Sequence, residues 1–189
     1  SILGNLNIGL RHVLPTFPFI YLLVASQIKK WLAVPGFFGK PLKILAVGVL
    51  MLWYATESVL AFPYYLAYFN ELAGGPANGY KYAVDSNLDW GQDLRRLTKF
   101  VDENNIDKVK LDYFGGGDPR YYLGDKYERL DHSNAEQRHG WLAVSATFLQ
   151  NGRAVPVKGY KESTTFYNWL NQYEPITQIG YSIFVYKID

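Results

Sequence analysis

Residues Ile44–Ala61 (ILAVGVLMLWYATESVLA) form an apolar run interrupted by one charge, Glu57, and long enough to cross a bilayer as a single helix. A second apolar stretch, Val13–Ile28 (VLPTFPFIYLLVASQI), reaches about 24 Å at ~1.5 Å per residue and can begin earlier, at Ile8. Pro15 and Pro18 near its start predict a broken or re-entrant first turn, since each lacks a backbone N–H. All but one of the 17 acidic residues lie beyond Asn70, so the net charge of +2 averages two unlike parts, as does the mean hydropathy of −0.11. The competing reading, two helices buried inside a soluble core, is disfavoured because apolar runs this long seldom occur there.

The connection between the two stretches, residues 29–43, holds Lys29, Lys30, Lys40 and Lys43, no acid, and the breakers Pro35, Gly36, Gly39 and Pro41. Short lysine-rich loops stay in the cytoplasm, which puts both outer ends of a hairpin, and everything after it, in the periplasm or outside the cell. The aromatic run Phe62–Phe69 suits the interfacial belt. Glu57 either faces a polar partner within the membrane or reaches the interface. The chain starts Ser-Ile-Leu, without an initiator Met or a basic leader, and reads as a cut within a longer polypeptide.

Residues 1–75 are thus expected to form a transmembrane hairpin with spans at 13–28 and 44–61, and residues 76–189 an extracytoplasmic α/β domain. Lys81–Val84 has strand character. Asp89 and Gln92 have the spacing of a capping box, ahead of a helix on which Trp90, Leu94, Leu97 and Val101 share a face. Lys108–Phe114 alternates like a strand that Gly115–Gly117 ends; Asp118-Pro119 caps a brief helix closed by Gly124. The tract Asp125–His139 reads as a surface excursion, Trp141–Ala146 as a strand, Ser163–Gln172 as a helix and Ile179–Ile188 as a closing strand. That order predicts an α/β sandwich on a partly parallel sheet.

In a parallel sheet, the loops at Asp85–Asn87, Gly115–Asp118 and Ser145–Thr147 would leave the carboxyl ends of strands and share one ligand rim. Its candidate residues are Asp85, Asn87, Asp89, Gly116, Asp118, Arg120 and Ser145. The Asp85/Asn87/Asp89 spacing resembles the start of a calcium loop. Trp90 stands where that loop needs Gly and Arg96 where it needs Glu, so an EF-hand is excluded; the acids serve another divalent cation or simply cap and turn the chain. FGGGDPR (114–120) has a phosphate-cradle outline but Arg120 at the third glycine of a dinucleotide fingerprint, and a plain turn competes. The three histidines, His12, His132 and His139, lack metal-ligand spacing, no serine sits in G-x-S-x-G, and cysteine is absent. No cofactor is required by the sequence. Basic residues mixed among acids exclude a nucleic-acid footprint.

Taken together, NIGLRHVLPTFP, PYYLAYFNELAGGPANGY, DSNLDWGQDL, YFGGGDPRYY and the closing IGYSIFVYKI resemble the C-terminal portion of bacterial and archaeal membrane glycosyltransferases of family 39. These are relatives of the protein O-mannosyltransferases with the GT-C architecture. The resemblance implies an enzyme that takes a sugar from a polyprenyl-phosphate carrier on the outer side of the membrane, with the parent protein's remaining N-terminal helices and membrane lipid as partners. The family's catalytic acid lies in a first external loop that this chain does not contain, so no catalytic residue is assigned and the chain alone is expected to be inactive. Arg11 and His12 match the stretch bordering the lipid-phosphate site. The alternative is a membrane-tethered module that binds a glycan or peptide, or is purely structural, without catalysis.

Overall fold

The structure, a computed structural model, describes residues 13–36, 39–154 and 165–189. Arg11 and His12 therefore lie outside the described residues, as do Ser163 and Thr164 of the expected helix. The chain divides into two compact units at Tyr65–Leu66.

In the first unit the prolines initiate a helix instead of interrupting one. Pro15 lies in a 3₁₀ turn, Leu14–Thr16, and Pro18 in the first turn of α1 (Phe17–Ala33), where an absent N–H has no helical partner to lose. The helix runs past Ile28 through both lysines. A short connection then leads to α2 (Lys40–Leu60), whose first turn contains Pro41. Neither helix buries an apolar side chain: α1 buries none at all and α2 only Lys43. Leu22, Leu50 and Leu52 are each about 70% exposed. Of the described helices, α2 alone is long and apolar enough to span a membrane; α1, with 17 residues, is shorter.

Lys43 departs from a simple basic-loop role. Its Nζ donates to the Trp31 and Val34 carbonyl oxygens, both at 2.8 Å, and lies 5.2 Å from the centre of the Trp31 ring. The last carbonyls of a helix lack intrahelical donors and carry partial negative charge, so the ammonium both caps α1 and ties it to α2.

The second unit is a mixed α/β fold around a five-stranded sheet in the order β2-β1-β3-β5-β4. Its strands are β1 (Val109–Asp112), β2 (Tyr127–Arg129), β3 (Gly140–Ser145), β4 (Thr177–Ile179) and β5 (Ile183–Ile188). β1 is parallel to both β2 and β3, whereas β5 is antiparallel to β3 and β4. Period-two alternation sorts the strand residues onto two faces. Val109, Leu111, Ala143, Ile183 and Val185 meet Leu94, Leu97 and Val101 of α3 (Leu94–Glu103), with Leu123 of α4 (Pro119–Leu123). On the opposite face Leu142, Val144, Phe184 and Tyr186 meet Leu149 of α5 (Ala146–Asn151), Tyr167, Leu170 and Ala67.

Several local expectations are corrected. Lys81–Val84 is no strand: a 3₁₀ helix occupies Pro76–Lys81, because Tyr80 turns inward against Phe184 and its carbonyl accepts from Gln150 Nε2 at 2.7 Å. Asp89 and Gln92 do not cap a helix. Asp89 Oδ1 accepts from Gly91 N and Gln92 Oε1 from Trp90 N, folding a turn ahead of α3 and leaving Trp90 exposed. The tract 125–139 contains β2, which pairs with β1 by backbone bonds despite its polar side chains. Where a helix was expected at Ser163–Gln172, the described part forms a 3₁₀ helix at Asn168–Gln172. The closing strand is a hairpin, since Gly180 and Tyr181 both have positive φ and make a tight turn between β4 and β5.

Candidate functional site

Two of the three rim loops do follow parallel strands, β1 and β3, and the third follows a 3₁₀ helix; all three nonetheless meet. Ser145 Oγ accepts from Phe114 N at 2.9 Å, Thr147 Oγ1 accepts from Asp85 N at 3.0 Å and donates to Asp89 Oδ2 at 3.3 Å, and Tyr113 Oη donates to the Gly91 carbonyl at 2.7 Å. Gly91, at φ +75°, lies so near Gly115 that an added Cβ would come within 2.7 Å of the Gly115 Cα. Next to this junction Asp93 accepts from Ser182 Oγ at 2.7 Å and pairs with Arg96.

Asp89, Asp93, Ser145, Thr147 and Ser182 are all buried, so the junction is closed and its acceptors are engaged within the chain. Burial raises the Asp89 carboxyl to about 6, against the lowering effect of its bonds from Gly91 and Thr147, with the Asp93 charge adding to the rise. Burial also raises Asp93, opposed by Ser182 and Arg96. Chemically this is a clasp: DSNLDWGQD holds the carboxyl ends of β1 and β3 and the β4–β5 turn together. The remaining rim residues stay on the surface. Asp118 Oδ1 accepts from Arg120 N at 2.9 Å as the N-cap of α4, and Gly116, Arg120 and Asp85 are exposed, with Asn87 half-buried. Among the described residues no group of three or more His, Asp or Glu side chains is arranged to hold a metal.

An open cleft of about 740 Å³ lies at the carboxyl ends of β1 and β2, lined by Asp112, Arg129, His132, Phe148, Asn151 and Phe166 among others. Asp112 and Arg129 are the last residues of their strands, which places them where open α/β sheets admit ligands. Asp112 Oδ2 accepts from Tyr167 Oη at 2.6 Å. Burial raises the Asp112 carboxyl, against the Tyr167 bond and the nearby His132 and Arg129 charges. Burial and the Asp112 charge push the Tyr167 phenol far up, so it stays a donor at every physiological pH. The His132 ring packs on Phe166 with centroids 4.1 Å apart. Asp131 accepts from the Ser133 N–H and hydroxyl, at 2.9 and 2.6 Å, which holds its carboxyl below the usual range.

No motif in the sequence marks this cleft. Asp112 carried one usable signal, a carboxylate ending a strand in an α/β pattern. His132 and Arg129 lay in a polar tract with none. No family model, curated protein or solved structure matches the chain.

Proposed function

We propose that this chain supplies a membrane hairpin and the outer α/β domain of a polytopic glycosyltransferase, which transfers a sugar from a polyprenyl-phosphate carrier on the extracytoplasmic face. The observation that carries the reading is α2: 21 residues, long and apolar enough to cross a bilayer, with no apolar side chain buried, followed in the chain by an α/β unit with a core of its own. The lysines clustered where α1 meets α2, with no acid among them, support a cytoplasmic connection and an external domain. The resemblance of YFNELAGG and DSNLDWGQDL to family 39 supports sugar transfer. In this reading Arg11 and His12 border the lipid phosphate, and catalysis requires the parent's other helices.

Because the chain has no cysteine, single cysteines at Lys40 and Tyr121, both exposed, report topology cleanly in intact cells treated with an impermeant maleimide. Labelling at Tyr121→Cys but not at Lys40→Cys is expected, and the reverse pattern refutes the orientation. Sugar transfer from a polyprenyl-phosphate donor is expected only when the chain is joined to the parent's other helices. Transfer by the chain alone, or undiminished transfer by a parent lacking it, refutes the enzymatic part.

The second reading, a tethered binding module without chemistry, is favoured by the open cleft at the carboxyl edge of the sheet.

A further inference from the structure

The geometry points to the cleft at the carboxyl ends of β1 and β2 as a binding site for a neutral oligosaccharide, held by Asp112, Arg129, Gln137 and Asn151 against Phe148 and Phe166.

Size comes first. At about 740 Å³ the cleft falls within the range of small-molecule sites and takes two or three pyranose rings. Its polar lining then narrows the ligand class. Asn151 carries an amide donor and an amide acceptor, Gln137 presents its amide donor while its Oε1 accepts from Asp131 N, Arg129 only donates and an ionised Asp112 accepts through the oxygen that Tyr167 leaves open, so the wall presents both kinds of partner within one cleft. A sugar hydroxyl donates and accepts at once and uses such a mixed wall fully. A phosphate or carboxylate uses only donors and would leave Asp112 and Asp131 facing an anion. Formal charge agrees: two carboxylates, Asp112 and Asp131, oppose Arg129 and a histidine, which is no excess of cation.

The apolar part of the lining completes the match. Phe148 and Phe166 offer carbon surface suited to the C–H face of a pyranose, which a purely polar cleft would leave undesolvated. Asp112 is fixed by the Tyr167 bond, and Phe166 by its contact with His132, so two of the contact groups are held before any ligand arrives. The inference stands apart from the transferase reading, because saccharide binding here is measurable whether or not the chain takes part in sugar transfer.

The test uses the full chain in phosphatidylcholine nanodiscs, which avoid sugar-headed detergents, titrated with mannotriose, maltotriose and cellotriose and followed by side-chain amide NMR. Inorganic phosphate, trigalacturonate and a neutral hexapeptide are the comparison probes. At least one neutral trisaccharide is expected to bind with a Kd below about 10 mM, shifting the Asn151 and Gln137 amide signals. Asn151→Ala and Arg129→Ala remove exposed side chains that no core contact needs, and each is expected to weaken binding about five-fold, the equivalent of one lost hydrogen bond. Tyr121→Ala, on the exposed surface of α4, leaves the affinity unchanged. The proposal is overturned if no neutral trisaccharide binds at that concentration, if both cleft variants bind as the parent does, or if phosphate, trigalacturonate or the peptide binds more tightly.

Discussion

Replacing Asp89 by Asn isolates what it costs to keep a carboxylate inside the clasp. The side chain is fully buried, and its carboxyl rises from 3.8 to about 6. A raised acid binds its proton more tightly in the folded state than in the unfolded one, so stability is fully present below the unfolded value and is lost as pH climbs toward the folded one. The shift of about two units, at ~1.36 kcal/mol per unit, corresponds to about 3 kcal/mol in full, of which about 2.5 kcal/mol is still present at pH 4 and is surrendered by pH 7. Asparagine carries no charge to desolvate and keeps the acceptor for Gly91 N. Its amide nitrogen meets Thr147 Oγ1, which donates to Oδ2 in the parent, and that mismatch takes back about 1 kcal/mol. Asp89→Asn is therefore expected to be about 2 kcal/mol more stable than the parent at pH 7, and about 0.5 kcal/mol less stable at pH 4, where the folded parent is neutral. Guanidinium unfolding of the chain in nanodiscs from pH 4 to 8, read by near-ultraviolet circular dichroism, measures the crossing. Asp93 and Asp112 are raised in the same direction, so the variant keeps a shallower slope. A variant less stable than the parent at both pH values, or one whose stability falls as steeply, refutes the reasoning.

Three further outcomes are checked in the same preparation. An added Cβ at Gly180 (φ +57°) would overlap the Asp93 carboxylate, whereas one at Gly140 (φ +78°) meets nothing within 4 Å. Gly180→Ala should thus lose about 3 kcal/mol or more and Gly140→Ala only the ~1–2 kcal/mol of left-handed strain, and equal losses refute the overlap. Tyr167→Phe takes the donor from Asp112, which raises that carboxyl further; unfolding should show a loss of about 1–3 kcal/mol at pH 7 that shrinks toward pH 4. Lys43→Ala uncovers the Trp31 and Val34 carbonyls, and hydrogen exchange at Ala33 and Val34 should quicken about ten-fold, with unchanged exchange refuting the capping role.

Much of the sheet is legible because β3 and β5 bury both faces and β1 alternates between buried and half-buried positions. Val109/Leu111, the run in Gly140–Ser145 and Ile183–Ile188 stand out from their polar surroundings, and the α3 stripe Leu94/Leu97/Val101 repeats at helical spacing. β2 is hidden because an edge strand of three residues, Tyr-Glu-Arg, adds only the Tyr127 contact with the core to its backbone pairing, too little for an apolar pattern. Trp90 misled the helix boundary: it falls on the apolar spacing, but the Gly91 turn ends that register before α3 begins. In Lys81–Val84, long-range contacts of Tyr80 overrode a local strand preference. Lys43 as a cap depends on a partner twelve residues away in sequence, which no local pattern reveals.

The carboxyl edge of the sheet explains how a dense polar motif and an open cleft can lie side by side with different roles. Parallel pairing on both sides of β1 sends two loops out at that edge, and open α/β sheets place ligands where such loops diverge. On the β3 side the DSNLDWGQD segment enters the space, and Tyr113, Thr147 and Ser182 supply it with hydrogen bonds, so the chain itself occupies that half. On the β2 side no equivalent segment enters among the described residues, and Asp112 and Arg129 border the cleft. The densest polar motif is thus the filler of the edge, and the half proposed to bind saccharide is drawn from residues scattered between Asp112 and Phe166. Filling one half rigidly also steadies the other, because Tyr113 and Phe114, bound by the clasp, directly follow Asp112 in the chain. Loosening the clasp, as Gly180→Ala does, should therefore weaken saccharide binding in a cleft it does not touch, whereas a change confined to Gly140 leaves that affinity unaltered.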